Sequence, residues 1–128
     1  MRLFGFATAV LAGLAGAALA QEGGGMPMMH EMDGVMMMMA PDGASPATQG
    51  YVDAMNRMSM GMMVPFTGNP DVDFITGMIA HHQGAVDAAK VVLANGSDPE
   101  VKAFAERIIA AQESEIAWMK GWLTAQGQ

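Results

Sequence analysis

The chain has no cysteine in its 128 residues. That excludes disulfides, thiolate metal sites and thiol catalysis. The only soft sulfur ligand left is the thioether. Basic residues are also scarce, with six Lys and Arg against 13 Asp and Glu, a net charge of −7 and a pI of about 4.6. Such a balance speaks against nucleic acid as a partner, because neutralising phosphates needs a basic face. It speaks equally against docking on an anionic lipid surface. No G-x-S-x-G element, Walker loop or H-E-x-x-H occurs. No Glu is followed three residues later by His, so the Glu-x-x-His pairs of di-iron carboxylate bundles are missing. The expectation is a protein that is not an enzyme.

What the chain has in excess is methionine, 16 residues or one in eight, although Met is not among the common residues of globular domains. The length allows one small domain. Met1–Ala20 reads as a secretory signal: Arg2 is a short positive region, Leu3 to Leu19 is apolar, and Ala18-Leu19-Ala20 is a small-residue cleavage pattern. Cleavage near Ala20 would leave no stable membrane anchor and send the protein to the periplasm or outside the cell.

Residues 21–46 read as a disordered, Met-rich tail. Gly23-Gly24-Gly25, Pro27, Gly34, Pro41, Gly43 and Pro46 punctuate it, and it has little apolar mass beyond methionine. Eight of its residues are Met, and His30 lies among Met28, Met29 and Met32. A disordered segment has no core to fill. These groups therefore fit collection of soft cations where thiols would be oxidised.

Residues 47–128 read as an all-α domain, a small antiparallel bundle of three main helices. The first, Ala47–Met63, carries Tyr51, Met55, Met58 and Met62 at helical spacing. Core packing and metal ligation both account for that stripe. Pro65 and Gly68 end the helix. The second starts at Asn69-Pro70, with Asp71 and Asp73 in its first turn, and stops at Asn95-Gly96. The third starts after Ser97 or Asp98 with Pro99 and runs to about Ala125. The short connection predicts an antiparallel hairpin of the second and third helices.

A helical wheel places Phe74, Met78, Ala85, Ala89 and Val92 on one apolar stripe, flanked by His81 and His82, with Thr76, Gln83, Asp87 and Lys90 opposite. On the third helix Val101, Phe104, Ala105, Ile108, Met119, Trp122 and Leu123 form the stripe, interrupted by Gln112 and Glu115. Counting outward from the turn pairs His81 with Gln112, Met78 with Glu115 and Phe74 with Met119. Two imidazoles, two thioethers, a carboxamide and a carboxylate then meet in the hairpin. One reading is a satisfied buried polar network with methionine as filler. The other is a site for Cu(I), or Ag(I) by the same softness. There Glu115 would orient a histidine from behind or balance charge.

Asp71-Val-Asp-Phe-Ile-Thr-Gly-Met-Ile-Ala-His-His-Gln-Gly-Ala-Val-Asp87, then Ser97-Asp-Pro-Glu-Val101, then Ile108-Ile-Ala-Ala-Gln-Glu-Ser-Glu-Ile-Ala-Trp-Met-Lys-Gly-Trp122, resemble the "domain of unknown function 305" family over about Tyr51 to Leu123. The resemblance implies an exported bacterial protein with a ferritin-like helical bundle, Met and His ligands for copper or silver, and a role in copper resistance. It implies that Asp73, Met78, His81, His82, Gln112, Glu115 and Met119 occupy the family's pattern positions. Ala89 departs from it, because the family usually has Met there.

The leading expectation is periplasmic binding of Cu(I) by Met and His, for sequestration, chaperoning or resistance. Its expected ligands are Met78, His81, His82 and Met119, with Met55, Met58 and Met62 of the first helix and His30, Met28, Met29 and Met32 of the tail. Asp73, Gln112 and Glu115 would support them from behind. Partners would be soft metal ions, other copper-handling proteins, and a second copy covering the face that a fourth helix would fill. The alternative is a metal-free helical interaction module with a Met-rich core.

Overall fold

A computed structural model describes residues 28–32 and 34–128. The signal-like segment 1–20 lies outside the described residues. The chain order is β1 (Met28–Met32), β2 (Val35–Met39), α1 (Pro46–Met62), α2 (Pro70–Asn95) and α3 (Pro99–Ala125). The three helices form a small antiparallel bundle, as the sequence predicts.

The helix starts follow from local chemistry. Each has Pro in its first turn, where a missing N–H costs nothing, and a capping side chain just before it. Ser45 Oγ accepts from the Thr48 N–H. Asn69 Oδ1 accepts from the N–H groups of Asp71 and Val72. Asp98 Oδ1 accepts from those of Glu100 and Val101.

Packing departs from the helical wheel. Helix α2 is the middle layer, with α1 on one side and α3 on another, and α1 and α3 do not pack on each other. A helix with two neighbours buries two stripes, not one. Val72, Ile75, Gly84, Val86 and Ala89 are its buried residues. Phe74, expected at the stripe's centre, is exposed. Asp87, expected on a solvated face, is largely covered. There Arg57 Nε of α1 donates to its Oδ2 at 3.0 Å and Gln83 Nε2 to its Oδ1 at 3.1 Å. Helix α3 has one neighbour and buries a narrower stripe, Ala105, Ile116 and Met119, leaving Val101 and Phe104 exposed. Ile75, Val86, Ile116 and Met119 form the hydrophobic centre of the α2–α3 pair.

The α1–α2 seam is built on small residues. A Cβ at Gly50 would come within 2.8 Å of Val91, one at Gly61 within 2.9 Å of Ala80, and one at Gly84 within 2.8 Å of Met58. These pairings run in opposite chain directions, so the helices are antiparallel. Val52 and Ala54 are the buried residues of α1, while Met55 and Met62 are nearly half exposed. The core reading of that methionine stripe does not hold for those two, whereas Met58 packs into the seam against Gly84.

Residues 28–32 and 35–39, expected to be disordered, pair as antiparallel strands with Met28 opposite Met39, Met29 opposite Met38, His30 opposite Met37 and Glu31 opposite Met36. Gly34, at φ 80°, supplies the left-handed residue that a two-residue hairpin connection needs. A lone hairpin is marginal in water; this one is held on α1. Asn56 Nδ2 donates to the Met38 carbonyl at 2.8 Å, and the Met38 N–H donates to Asn56 Oδ1 at 2.9 Å.

Candidate metal centre

The α2–α3 interface brings together four of the residues expected there. Met78, His82, Glu115 and Met119 line one cavity of about 200 Å³, with Phe74, Ile75 and Trp118 as walls. His82 Nε2 lies 2.7 Å from Glu115 Oε2. A carboxylate only accepts, so Nε2 carries the hydrogen and a neutral ring leaves its lone pair on Nδ1. That Nδ1 is buried and has no hydrogen-bond partner. The His82 side chain is 13% exposed, so this orphan is not repaired by bulk solvent. Gln112 Oε1 is likewise buried without a partner. An unsatisfied buried polar atom costs about 1–3 kcal/mol. Met119 is buried at 4% exposure and Met78 is half-buried against the same centre.

The arrangement matches a recurrent one in metal sites. A histidine gives one ring nitrogen to a carboxylate, which fixes its tautomer and ring plane and leaves the other nitrogen for the metal. With two thioethers in the same cavity the donor set is soft. The residues present therefore fit a Cu(I) or Ag(I) ion. Among the described residues no group of three His, Asp or Glu side chains could hold a harder ion.

His81 goes elsewhere. Its ring lies edge-on to that of His82 with centroids 6.1 Å apart, and it lines a different cavity, between α1 and α2, with Met55 and Met58. The expected pairing of His81 with Gln112 becomes one of His82 with Glu115, about one turn away. Met62 lies at the exposed end of α1 and in neither cavity. Asp73 is not brought to the cavity. Its Oδ1 accepts from the Thr67 N–H and hydroxyl, both at 2.7 Å, and its Oδ2 from the Gly68 N–H at 3.1 Å. The Thr67 backbone bond, the Thr67 hydroxyl and the Gly68 N–H hold its carboxyl below the usual range. Asp73 locks the loop entering α2. Ala89 is buried in α2 and lines neither cavity.

The hairpin organises the tail methionines. Opposite residues in an antiparallel pair share a face, and faces alternate along a strand. Met28, His30 and Met32 of β1 thus share one face with Met37 and Met39 of β2. Met29 falls on the other face, with Glu31, Met36 and Met38. Sequence reasoning missed Met37 and Met39 as companions of His30. The signal was Asp33-Gly34, a turn dipeptide that fixes the register.

The fold and this site define a small helical domain whose long antiparallel hairpin brings a carboxylate-bound histidine and two methionines to one cavity. Residues 71–128 match the family described as Domain of unknown function (DUF305). Over that segment, α2 from its second residue to the end of the chain, the protein is similar to the family. Helix α1 and the methionine hairpin precede the matched segment, which starts later than the resemblance read from Tyr51. A comparison with curated proteins finds no match.

Proposed function

We propose that the protein binds Cu(I), and Ag(I) by the same chemistry, as cargo in an exported compartment, for copper sequestration, chaperoning or resistance. His82 Nδ1, Met78 and Met119 would hold the ion, and Glu115 would orient the imidazole. The observation that carries this reading is the buried, partnerless Nδ1 of His82, whose other nitrogen is already bonded to Glu115. A purely structural network would leave that nitrogen unsatisfied. The hairpin face of Met28, His30, Met32, Met37 and Met39 adds soft donors, all exposed but the half-buried Met37, consistent with a first capture surface.

A Cu(I) competition titration against a chromogenic chelator tests the reading. Wild type should hold Cu(I) with sub-micromolar affinity. The variant Met78→Leu, His82→Gln, Met119→Leu should lose one equivalent. Equal binding by the two proteins would end the proposal. The second reading, a metal-free interaction module, is favoured by the exposed Phe74, Phe104 and Trp118. Its Met-rich core is not what the fold contains, since Met119 is the one buried methionine among the described residues. It predicts no sub-micromolar site at all.

A further inference from the structure

Helices α1 and α3 both pack on α2 and not on each other, so the bundle is one layer of helices with two open faces. One face is polar, where Arg57 and Gln83 donate to Asp87. The other is apolar and aromatic. Phe74 of α2 is 63% exposed there and Trp118 of α3 is 62% exposed, and the two line one cavity with Trp122. A helical layer buries its apolar face against a second layer, and among the described residues no element supplies one.

Along α3 this face is a regular seam. Val101, Phe104 and Ile108 lead through Ala111 and Glu115 to Trp118 and Trp122, in alternating steps of three and four residues. That is the spacing along which two helices stay in contact over several turns, here over about 30 Å at the helical rise per residue. The residues that α3 buries against α2, Ala105, Ile116 and Met119, form a separate stripe. Helix α3 can therefore hold a second neighbour while it keeps the first.

We propose that this seam is the interface of a two-fold dimer, in which α3 packs antiparallel on α3 of a second copy of this chain, with Ala111 at the dyad. The seam is its own complement about that point. Phe104 and Trp118 lie equally far from Ala111 along the chain, so each Phe104 stands level with Trp118 of the second copy. Val101 and Trp122 meet in the same way at the ends. Arg107 and Glu115 are also equidistant from Ala111, so opposite charges stand level. A parallel pair would instead set Arg107 level with Arg107 and Glu115 level with Glu115. The small side chain of Ala111 lets the two helices approach at the dyad. The other charges of α3 do not oppose contact, because Lys102, Glu106, Glu113 and Lys120 fall on the far side of the helix by its period. A surface that matches itself in this way closes at two copies and leaves nothing to propagate. The inference rests on packing alone and is independent of the copper reading.

The chain has no cysteine, so a single introduced one reports on the dyad. Ala111→Cys should form an intermolecular disulfide on mild oxidation, because helices in contact bring dyad residues within the short Cα separation that a disulfide spans. Ala117→Cys, exposed on α3 but off the seam, should not. Sedimentation equilibrium of the metal-free wild type should show a dimer at micromolar concentration. The double variant Phe104→Lys, Trp118→Lys should raise its dissociation constant at least a hundredfold. Helix content by circular dichroism should stay unchanged, since both side chains are exposed in the single chain. A wild type that stays monomeric would overturn the inference. So would a dimer that survives the two lysines, or one that cross-links as readily at Ala117→Cys as at Ala111→Cys. A dimer that appears only on adding Ag(I) would also overturn it, because the metal and not the seam would then join the copies.

Discussion

At the residue scale, His82 and Asp73 show how the same kind of polar group serves different ends. Asp73 has every oxygen engaged by its own loop, whereas His82 has one nitrogen engaged and one free. The first pattern secures a loop, and the second leaves the buried donor on which the proposed binding rests. Because its folded carboxyl titrates below its usual value of 3.8, Asp73 favours the folded state above that pH. The contribution is lost as pH falls through the lowered folded value. Asp73→Asn should therefore melt below wild type at neutral pH. The gap should close in strong acid, as read by thermal unfolding across the pH range. A gap that stays constant into acid would mean the loop lock does not depend on the carboxylate's charge. Local sequence rules made the Asn69-Pro70 and Asp98-Pro99 starts legible, because capping involves only neighbouring residues. The role of Asp73 was not legible from its family position. Its partners, Thr67 and Gly68, lie outside the helix on which the pattern was read.

At the element scale, glycines separate the packed seam from the open surface. Gly84 faces Met58 across the α1–α2 seam, while Gly121 of α3 has nothing within 4 Å of an added Cβ. Replacing Gly by Ala in a helix gains about 0.5–1 kcal/mol of backbone stability. Overpacking a seam costs about 1–3 kcal/mol. At Gly121 only the gain applies, so Gly121→Ala should stabilise. At Gly84 the clash involves the Met58 Cβ as well as its mobile sulfur, so the cost outweighs the gain and Gly84→Ala should destabilise. Chemical denaturation of both variants checks the opposite signs; two shifts of the same sign would refute this account of the seam. The helices themselves were readable from caps and periodicity. Their buried faces were only partly readable, because a wheel assumes one neighbour. Phe74 and Phe104 were placed inward on that assumption and lie outward. The hairpin was hidden by a composition rich in glycine and proline, although Asp33-Gly34 marked its turn.

At the scale of the whole molecule, methionine is distributed outside the core. The buried set is Val52, Ala54, Val72, Ile75, Val86, Ala89, Ala105, Ile116 and Met119, so aliphatic and small residues carry the packing. The other described methionines lie on the hairpin, on α1 and just after it, where Met58 alone packs into the seam against Gly84, and at the rim of the α2–α3 cavity. That distribution is what a protein needs if its thioethers are to be reached by an ion. Antiparallel counting from the Asn95–Asp98 turn placed the histidine's contact with α3 to within about one helical turn, at Gln112 in place of Glu115. It could not show that His81 and His82 diverge, because that depends on where α1 docks. The most direct test of the central claim is the ¹⁵N spectrum of the His82 ring on addition of one equivalent of Ag(I). The account predicts that Nδ1 shifts on coordination while Nε2 keeps its hydrogen and its bond to Glu115. A bound metal with His82 Nδ1 unchanged, or one that takes Nε2 and displaces Glu115, would contradict it.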